Sequence, residues 1–173
     1  IIAARPSIGK STLARQLALS AAEVDGAAAG FFSLEMSTRQ IGQCLVAAGV
    51  GINLHKIRRG TLNDDEWERY GREASRLAKL PIYTDSTPGL TRAQMHASMV
   101  RLSSQADIKL WIVDYLQLMQ GKGNNANESA NYISRNLKAL SRKFDVPIIA
   151  VSQLSRATEA RPDKKPQLQD LRD

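Results

Sequence analysis

The sequence has a single cysteine, two histidines, no visible internal repeat and no apolar run long enough to cross a bilayer. Each shortage removes a class of protein. Cys44 alone cannot close an internal disulfide, so a cross-linked secreted scaffold is excluded and a reducing compartment is the simpler expectation. The longest apolar stretches, near Leu110 to Val113 and Pro147 to Val151, are strand-sized and fall short of the roughly 18 to 20 residues of a membrane span, so a soluble chain is expected. His55 and His96 stand far from Cys44 and from each other, which leaves no zinc-ligand spacing. Neither G-x-S-x-G nor G-x-G-x-x-G occurs, so serine-hydrolase and dehydrogenase readings lose their signatures. There is no initial Met and no signal-peptide layout, and the chain ends in charged sequence at Asp170 to Asp173. The expectation is one domain, residues 1–173, taken from a longer polypeptide and truncated at both ends.

What is present suits an ordinary packed domain. At 173 residues the chain is the size of one core, and 43% hydrophobic with 24% charged residues argues against disorder. Lysine and arginine number 24 against 17 acidic residues, a net charge of +7, which suits a polyanionic partner and serves solubility equally well.

Short apolar runs alternate with helical patterns. Ile1-Ile2-Ala3 precedes a helix-like run from Lys10 to Ala22, and Gly30-Phe31-Phe32 precedes another beginning near Ser37. Asn63 with Glu66, and Thr91 with Gln94, have the N-cap and N3 spacing of capping boxes. The first opens the helix carrying Trp67 and Leu77. The second opens a run from Thr91 to Ala106, with Met95, Met99, Leu102 and Ala106 at helical spacing after the strand Pro81-Ile82-Tyr83. Strands at Leu110 to Val113 and Val146 to Val151 complete the set. Strands separated by helices require right-handed crossovers, so the fold class is α/β, a mainly parallel sheet with helices on both faces.

Two polar segments are expected to be loops, Gly121 to Asn127 and Ser155 to Asp173. Between them Ile133, Leu137, Leu140 and Phe144 share one helix face, and Arg135, Lys138 and Arg142 the opposite one. A solvated basic face explains the latter better than a nucleic-acid contact does.

The strongest local signal is Ala4-Arg5-Pro6-Ser7-Ile8-Gly9-Lys10-Ser11, directly after an apolar strand and directly before a helix. This is the layout of a phosphate-binding loop, although Ala4 stands where the pattern has its first glycine. Backbone N–H groups and the free helix N-terminus face the phosphates, the lysine adds a point charge, and the next hydroxyl ligates Mg²⁺. The nucleotide-binding residues are then Pro6, Ser7, Ile8, Gly9, Lys10, Ser11 and Thr12. A carboxylate on a neighbouring strand must complete the metal site, and Lys109 to Asp114 is an apolar strand ending in one. Asp114 is the metal carboxylate expected on this reading.

Hydrolysis also requires a group that orients and deprotonates water. Glu35 follows the strand Gly30 to Ser33 and is the best-placed base, while its spacing alone equally suits a solvated loop carboxylate. Gln153 ends the last strand and has the same two readings, a γ-phosphate contact or a polar strand end.

Taken in order, Ala3 to Thr12, Phe32 to Met36, Ile57-Arg58-Arg59-Gly60, Val113 to Met119 and Val151 to Arg156 resemble the ATPase domain of DnaB-type replicative DNA helicases, within the RecA-like group. The Ala-Arg-Pro-Ser form of the loop is typical of that family, so Ala4 no longer counts against it. The resemblance implies a cytoplasmic, ATP- and Mg²⁺-dependent 5′ to 3′ helicase motor acting as a hexameric ring on single-stranded DNA at the replication fork, with a primase and a helicase loader as further partners. It implies Lys10 and Ser11 on phosphate and Mg²⁺, Glu35 as catalytic base, Asp114 as metal carboxylate and Gln153 as γ-phosphate sensor. Arg156 and Arg172 become DNA contacts, with the loop from Gly121 nearby. Two departures stand out. Cys44 occupies the place of an arginine usual nine residues after the glutamate, and the strands that bring an arginine finger to a neighbouring subunit would lie beyond Asp173. Other readings are a recombinase- or clock-type ATPase of the same fold, which would not carry the DYLQLM and SQLSR strings, and a nucleotide-switched DNA-binding or loading scaffold without turnover, against which Glu35 argues.

Overall fold

The computed structural model describes residues 1–116 and 126–154, together with 163, 165, 167 and 170; over 126–130 it describes the backbone alone. Among the described residues, five strands and six helices follow in the order β1 (Ile2–Ala4), α1 (Lys10–Val24), β2 (Ala28–Ser33), α2 (Thr38–Val50), α3 (Leu54–Arg59), α4 (Asp64–Leu77), β3 (Ile82–Asp85), α5 (Arg92–Ser103), β4 (Ile108–Asp114), α6 (Ala126–Phe144) and β5 (Ile148–Gln153). Capping chemistry sets most helix starts. Ser37 with Gln40, Asn63 with Glu66 and Thr91 with Gln94 each form a reciprocal box at the head of α2, α4 and α5.

Several boundaries and one element differ from the sequence expectation. The helix after Thr91 ends at Ser103, and Ala106 lies in the link to β4. The polar segment from Gly121 is helical from Ala126 onward, because Ala126 and Asn127 already belong to α6. Helix α3 had no expectation at all: its six residues are too few for a periodic signal, and it is delimited by Asn53, whose Oδ1 accepts from the His55 N–H, and by Gly60 in the left-handed region at φ 68°.

All strand pairs are parallel, in the order β1-β5-β4-β2-β3. The chain moves across the sheet in one direction from β1 through β2 to β3, then returns through β4 to β5. Because parallel crossovers are right-handed, the reversal sends the connecting helices to opposite faces. Strand pleating sorts the core accordingly. Ala29, Phe31, Ile112 and Val151 pack with Ala14 and Ala18 of α1 and Ile41 of α2, whereas Phe32, Trp111, Val113 and Ala150 pack with Met95, Met99, Ile133, Leu137 and Leu140 of α5 and α6.

The two faces are filled differently. Alanines bring α1 close to the sheet, while the other face is bulky, with Trp111 stacked on Phe32 at 5.4 Å between centroids. Gly30 is required there, since a Cβ would overlap the indole ring of Trp111. A smaller cluster of Ala47, Ile52 and Ile57 joins α2, α3 and α4. Among the described residues no helix is long and apolar enough to cross a membrane.

Candidate nucleotide-binding site

The site lies at the carboxyl ends of the strands, where connections leaving β1 and β2 turn to one face and that leaving β4 turns to the other. In the loop after β1, Ser7 has φ 64° and Gly9 φ 98°, both positive. Left-handed residues flanking an ordinary one turn successive N–H groups toward one side, which makes a concave anion nest. Helix α1 then begins without the device that opens α2, α4 and α5. Its N-cap is Gly9, which offers no side chain, and no acidic residue occupies its first turn. The first-turn donors are therefore left for an external anion, which the helix dipole also favours.

Three side chains converge on this nest. Lys10 Nζ lies over the Tyr115 ring, 5.0 Å from its centroid, and Ser11 Oγ donates to Asp114 Oδ1 at 3.1 Å. Asp114 is only 2% exposed. Burial pushes its carboxyl above the usual range, opposed by the Ser11 hydrogen bond and the Lys10 charge, reinforced by Glu35 and opposed again by Arg15. Among the described residues no group of three or more His, Cys, Asp or Glu side chains gathers to cage a metal. A hard divalent cation shared between Ser11, Asp114 and substrate phosphates fits this donor set, since Mg²⁺ is commonly held by one or two carboxylates plus phosphate oxygens.

Glu35 is exposed, in the turn that follows β2. Its charge reaches Asp114 and Tyr115: the Tyr115 hydroxyl is pushed up by burial first, then by Glu35 and Asp114. The turn is tied down at several points. Leu34 N–H donates to the Asp114 carbonyl at 2.8 Å, and Arg15 bonds the Met36 sulfur at 3.5 Å and Thr12 Oγ1 at 3.2 Å.

Gln153 sits at the end of β5, in register with Ala4, and the Leu154 N–H extends that pairing to the Ala4 carbonyl at 3.1 Å. Asp114 was expected on a strand neighbouring β1; instead β5 lies between them, so Gln153 ends the strand separating the loop after β1 from the Asp114 strand. Strand order is decided by the crossovers and leaves no local trace in sequence.

Pro6, Ser7, Ile8, Gly9, Lys10, Ser11 and Thr12 thus form one continuous loop and helix start, with Glu35, Asp114 and Gln153 at the same sheet edge. Arg156, Arg172 and residues 121–125 lie outside the described residues. Sequence reasoning assigned no role to Tyr115 and Arg15. The available signals were adjacency to Asp114 for the first and, for the second, a position four residues after Ser11 on the same face of α1.

A family model described as the DnaB-like helicase C terminal domain matches residues 1–173. The chain is similar to the replicative DNA helicase DnaB of Nostoc sp. (strain PCC 7120), 42% identical over 175 residues that cover 100% of this chain and 20% of that protein. The replicative DNA helicase DnaB of Geobacillus stearothermophilus is 38% identical over 176 residues, 100% of this chain and 39% of its own length. The chain thus spans well under half of these curated relatives. Among solved structures, one described as an ATPase domain superposes with a TM-score of 0.89 at 31% identity, covering 99% of this chain and 62% of that one. A DnaB-like replicative helicase, described with its interactions with primase, gives 0.87 at 31% identity, covering 99% and 42%.

Proposed function

The chain belongs to the DnaB-like helicase C-terminal domain family, and from that premise we propose that it is the ATP-hydrolysing motor domain of a replicative DNA helicase. The observation that carries the reading is the hydrogen bond from Ser11 to Asp114, which joins the loop ahead of α1 to a carboxylate more than a hundred residues later. Two hard oxygen ligands meet there beside an anion nest, an arrangement suited to a metal-bound nucleoside triphosphate.

The division of labour follows from the chemistry of each group. Backbone N–H groups of the loop and Lys10 hold the β and γ phosphates, while Ser11 and Asp114 hold Mg²⁺. The cation, when bound, supplies charge neutralisation across the phosphate oxygens. Glu35 orients a water and accepts its proton as the water oxygen bonds to the γ-phosphorus and the bond to the β–γ bridging oxygen breaks, leaving ADP and phosphate. Gln153 contacts the γ-phosphate from the end of β5. Arg156 follows it three residues later and, with Arg172, contacts the backbone of single-stranded DNA, so that loss of the γ-phosphate is felt within a few residues of the DNA grip. The parent protein acts in this reading as a hexameric ring in the cytoplasm, with a primase and a loader as partners.

The test is a pair of substitutions. Lys10→Ala should abolish Mg-ATP binding, whereas Glu35→Gln should keep the nucleotide and lose turnover by about 10²- to 10⁴-fold, the range for a removed general base. Equal loss of binding in both variants removes Glu35 from the base role. For DNA, affinity should fall linearly with salt on logarithmic axes, and Arg156→Ala should make that slope shallower by about one unit.

A further inference from the structure

The base assigned above is an exposed side chain on a turn, and among the described residues no hydrogen bond or ion pair fixes its carboxylate. What is fixed is the backbone that carries it. Ser33, the last residue of β2, is 2% exposed, and its hydroxyl makes two hydrogen bonds to one residue. Ser33 Oγ accepts from the Met36 N–H at 3.2 Å and donates to the Met36 carbonyl at 2.7 Å. The four residues 33–36 are thereby closed into a ring through a single oxygen atom. Leu34, inside that ring, donates its N–H to the Asp114 carbonyl at 2.8 Å, which continues the Ser33–Asp114 register of the β2–β4 ladder by one more contact. The ring and the strand end bearing Asp114 are thus one hydrogen-bonded unit, and Glu35 is the residue at its outer side.

We propose that Ser33 is a positioning residue for hydrolysis: its hydroxyl sets the backbone of Glu35 relative to Asp114, so that the base points at the water beside the γ-phosphate. This rests on the reading of Glu35 as the base. Only a hydroxyl can fill the place, because the same atom must accept one hydrogen bond and donate another. Alanine would leave the Met36 N–H and carbonyl without this partner where the chain leaves a buried strand, and the turn would relax. A base displaced by about 1 Å can lose two orders of magnitude in rate while nucleotide affinity, set by the phosphate loop, is untouched.

The experiment measures single-turnover Mg-ATP hydrolysis, nucleotide binding and amide exchange for the chain and for Ser33→Ala, Ser33→Thr, Glu35→Gln and the Ser33→Ala/Glu35→Gln pair. Ser33→Ala is expected to slow hydrolysis about tenfold or more, with nucleotide affinity within twofold and protection lost at the Met36 amide. Ser33→Thr should restore most of the rate. In the Glu35→Gln background, Ser33→Ala should have no further effect. A Ser33→Ala rate equal to that of the unsubstituted chain, or a rate loss that persists undiminished in the Glu35→Gln background, overturns the positioning role while leaving Glu35 as base. A parallel loss of nucleotide affinity overturns it too, as general structural damage. Full turnover by Glu35→Gln alone instead overturns the base assignment itself.

Discussion

Two buried aspartates end parallel strands at the same sheet edge, and their surroundings push them in opposite directions. Asp85, at the end of β3, is desolvated, yet its carboxyl is held below the ordinary range. Ser98 Oγ donates to it at 2.5 Å, the Thr87 N–H at 3.0 Å, and the Arg101 guanidinium lies 3.8 Å away. Asp114, at the end of β4, has the Ser11 hydroxyl and the fields of Lys10 and Arg15, and Glu35 works against it; burial prevails and its carboxyl is pushed up. The first aspartate has its partners at home and braces α5 against the sheet. The second accepts one hydrogen bond, from Ser11, and burial outweighs it, as the function proposed above requires of a carboxylate that shares a cation.

The sharpest test exchanges function for stability. Asp114→Asn should lower Mg-ATP turnover by about 100-fold or more, the loss of one strong charge-stabilising interaction. The melting temperature of the nucleotide-free chain should rise or stay level, because the substitution removes a buried charge and keeps an acceptor for Ser11. A large fall in the melting temperature would show that Asp114 already has the partners it needs.

Asp85→Ala should do the reverse. Ser98 and the Thr87 N–H would be left unpaired, a loss of about 1–3 kcal/mol in chemical denaturation, with Mg-ATP affinity within twofold. Weakened nucleotide binding at unchanged stability would break the comparison.

Titration supplies a smaller effect with opposite signs. A depressed carboxyl such as Asp85 gives stability that is fully present above the unfolded value of about 3.9 and lost as pH falls through its folded value. A raised carboxyl such as Asp114 acts the other way: without a cation, folding weakens as pH climbs from about 3.9 through its elevated folded value. Denaturation curves in chelator should therefore show the Asp85→Ala chain losing part of its acid sensitivity. Asp114→Asn should lose the weakening above it, and saturating Mg-ATP should abolish the same weakening in the unsubstituted chain. The smallest effect is expected from Ser98→Ala, about 1 kcal/mol, with no change in turnover.

Much of this contrast could be read in sequence for Asp114 and none of it for Asp85. Asp114 ends the apolar run Leu110 to Val113 in a chain that also carries a Gly-Lys-Ser loop, and the two signals reinforce each other. Asp85 follows Ile82-Tyr83-Thr84 just as a turn residue would, and its partners Ser98 and Arg101 come from a helix whose packing the pattern does not specify. Glu35 shows the same limit. Its place after β2 was legible, but what holds its turn is a hydroxyl at Ser33 and a carbonyl at Asp114, a contact between residues far apart in the chain. Helix α3 was missed because six residues give no period, and Tyr115 because an aromatic after a strand reads as core until the lysine above it is seen.

By itself the sequence determined the alternation of strands and helices, two of the three capping boxes, the two-sided apolar patterning of the sheet and the Gly-Lys-Ser loop between a strand and a helix. All are encoded within a few residues, through side-chain periodicity and local hydrogen bonding. Tertiary structure alone decided that β5 enters between β1 and β4, that Ser11 meets Asp114, that Ser33 closes the Glu35 turn beside it, and that hydrogen bonds prevail at one buried aspartate and burial at the other. Those outcomes depend on which strands become neighbours. That in turn follows from the reversal of crossover direction at β3 and from the depth at which each carboxyl is buried, quantities that exist only once the whole sheet has formed.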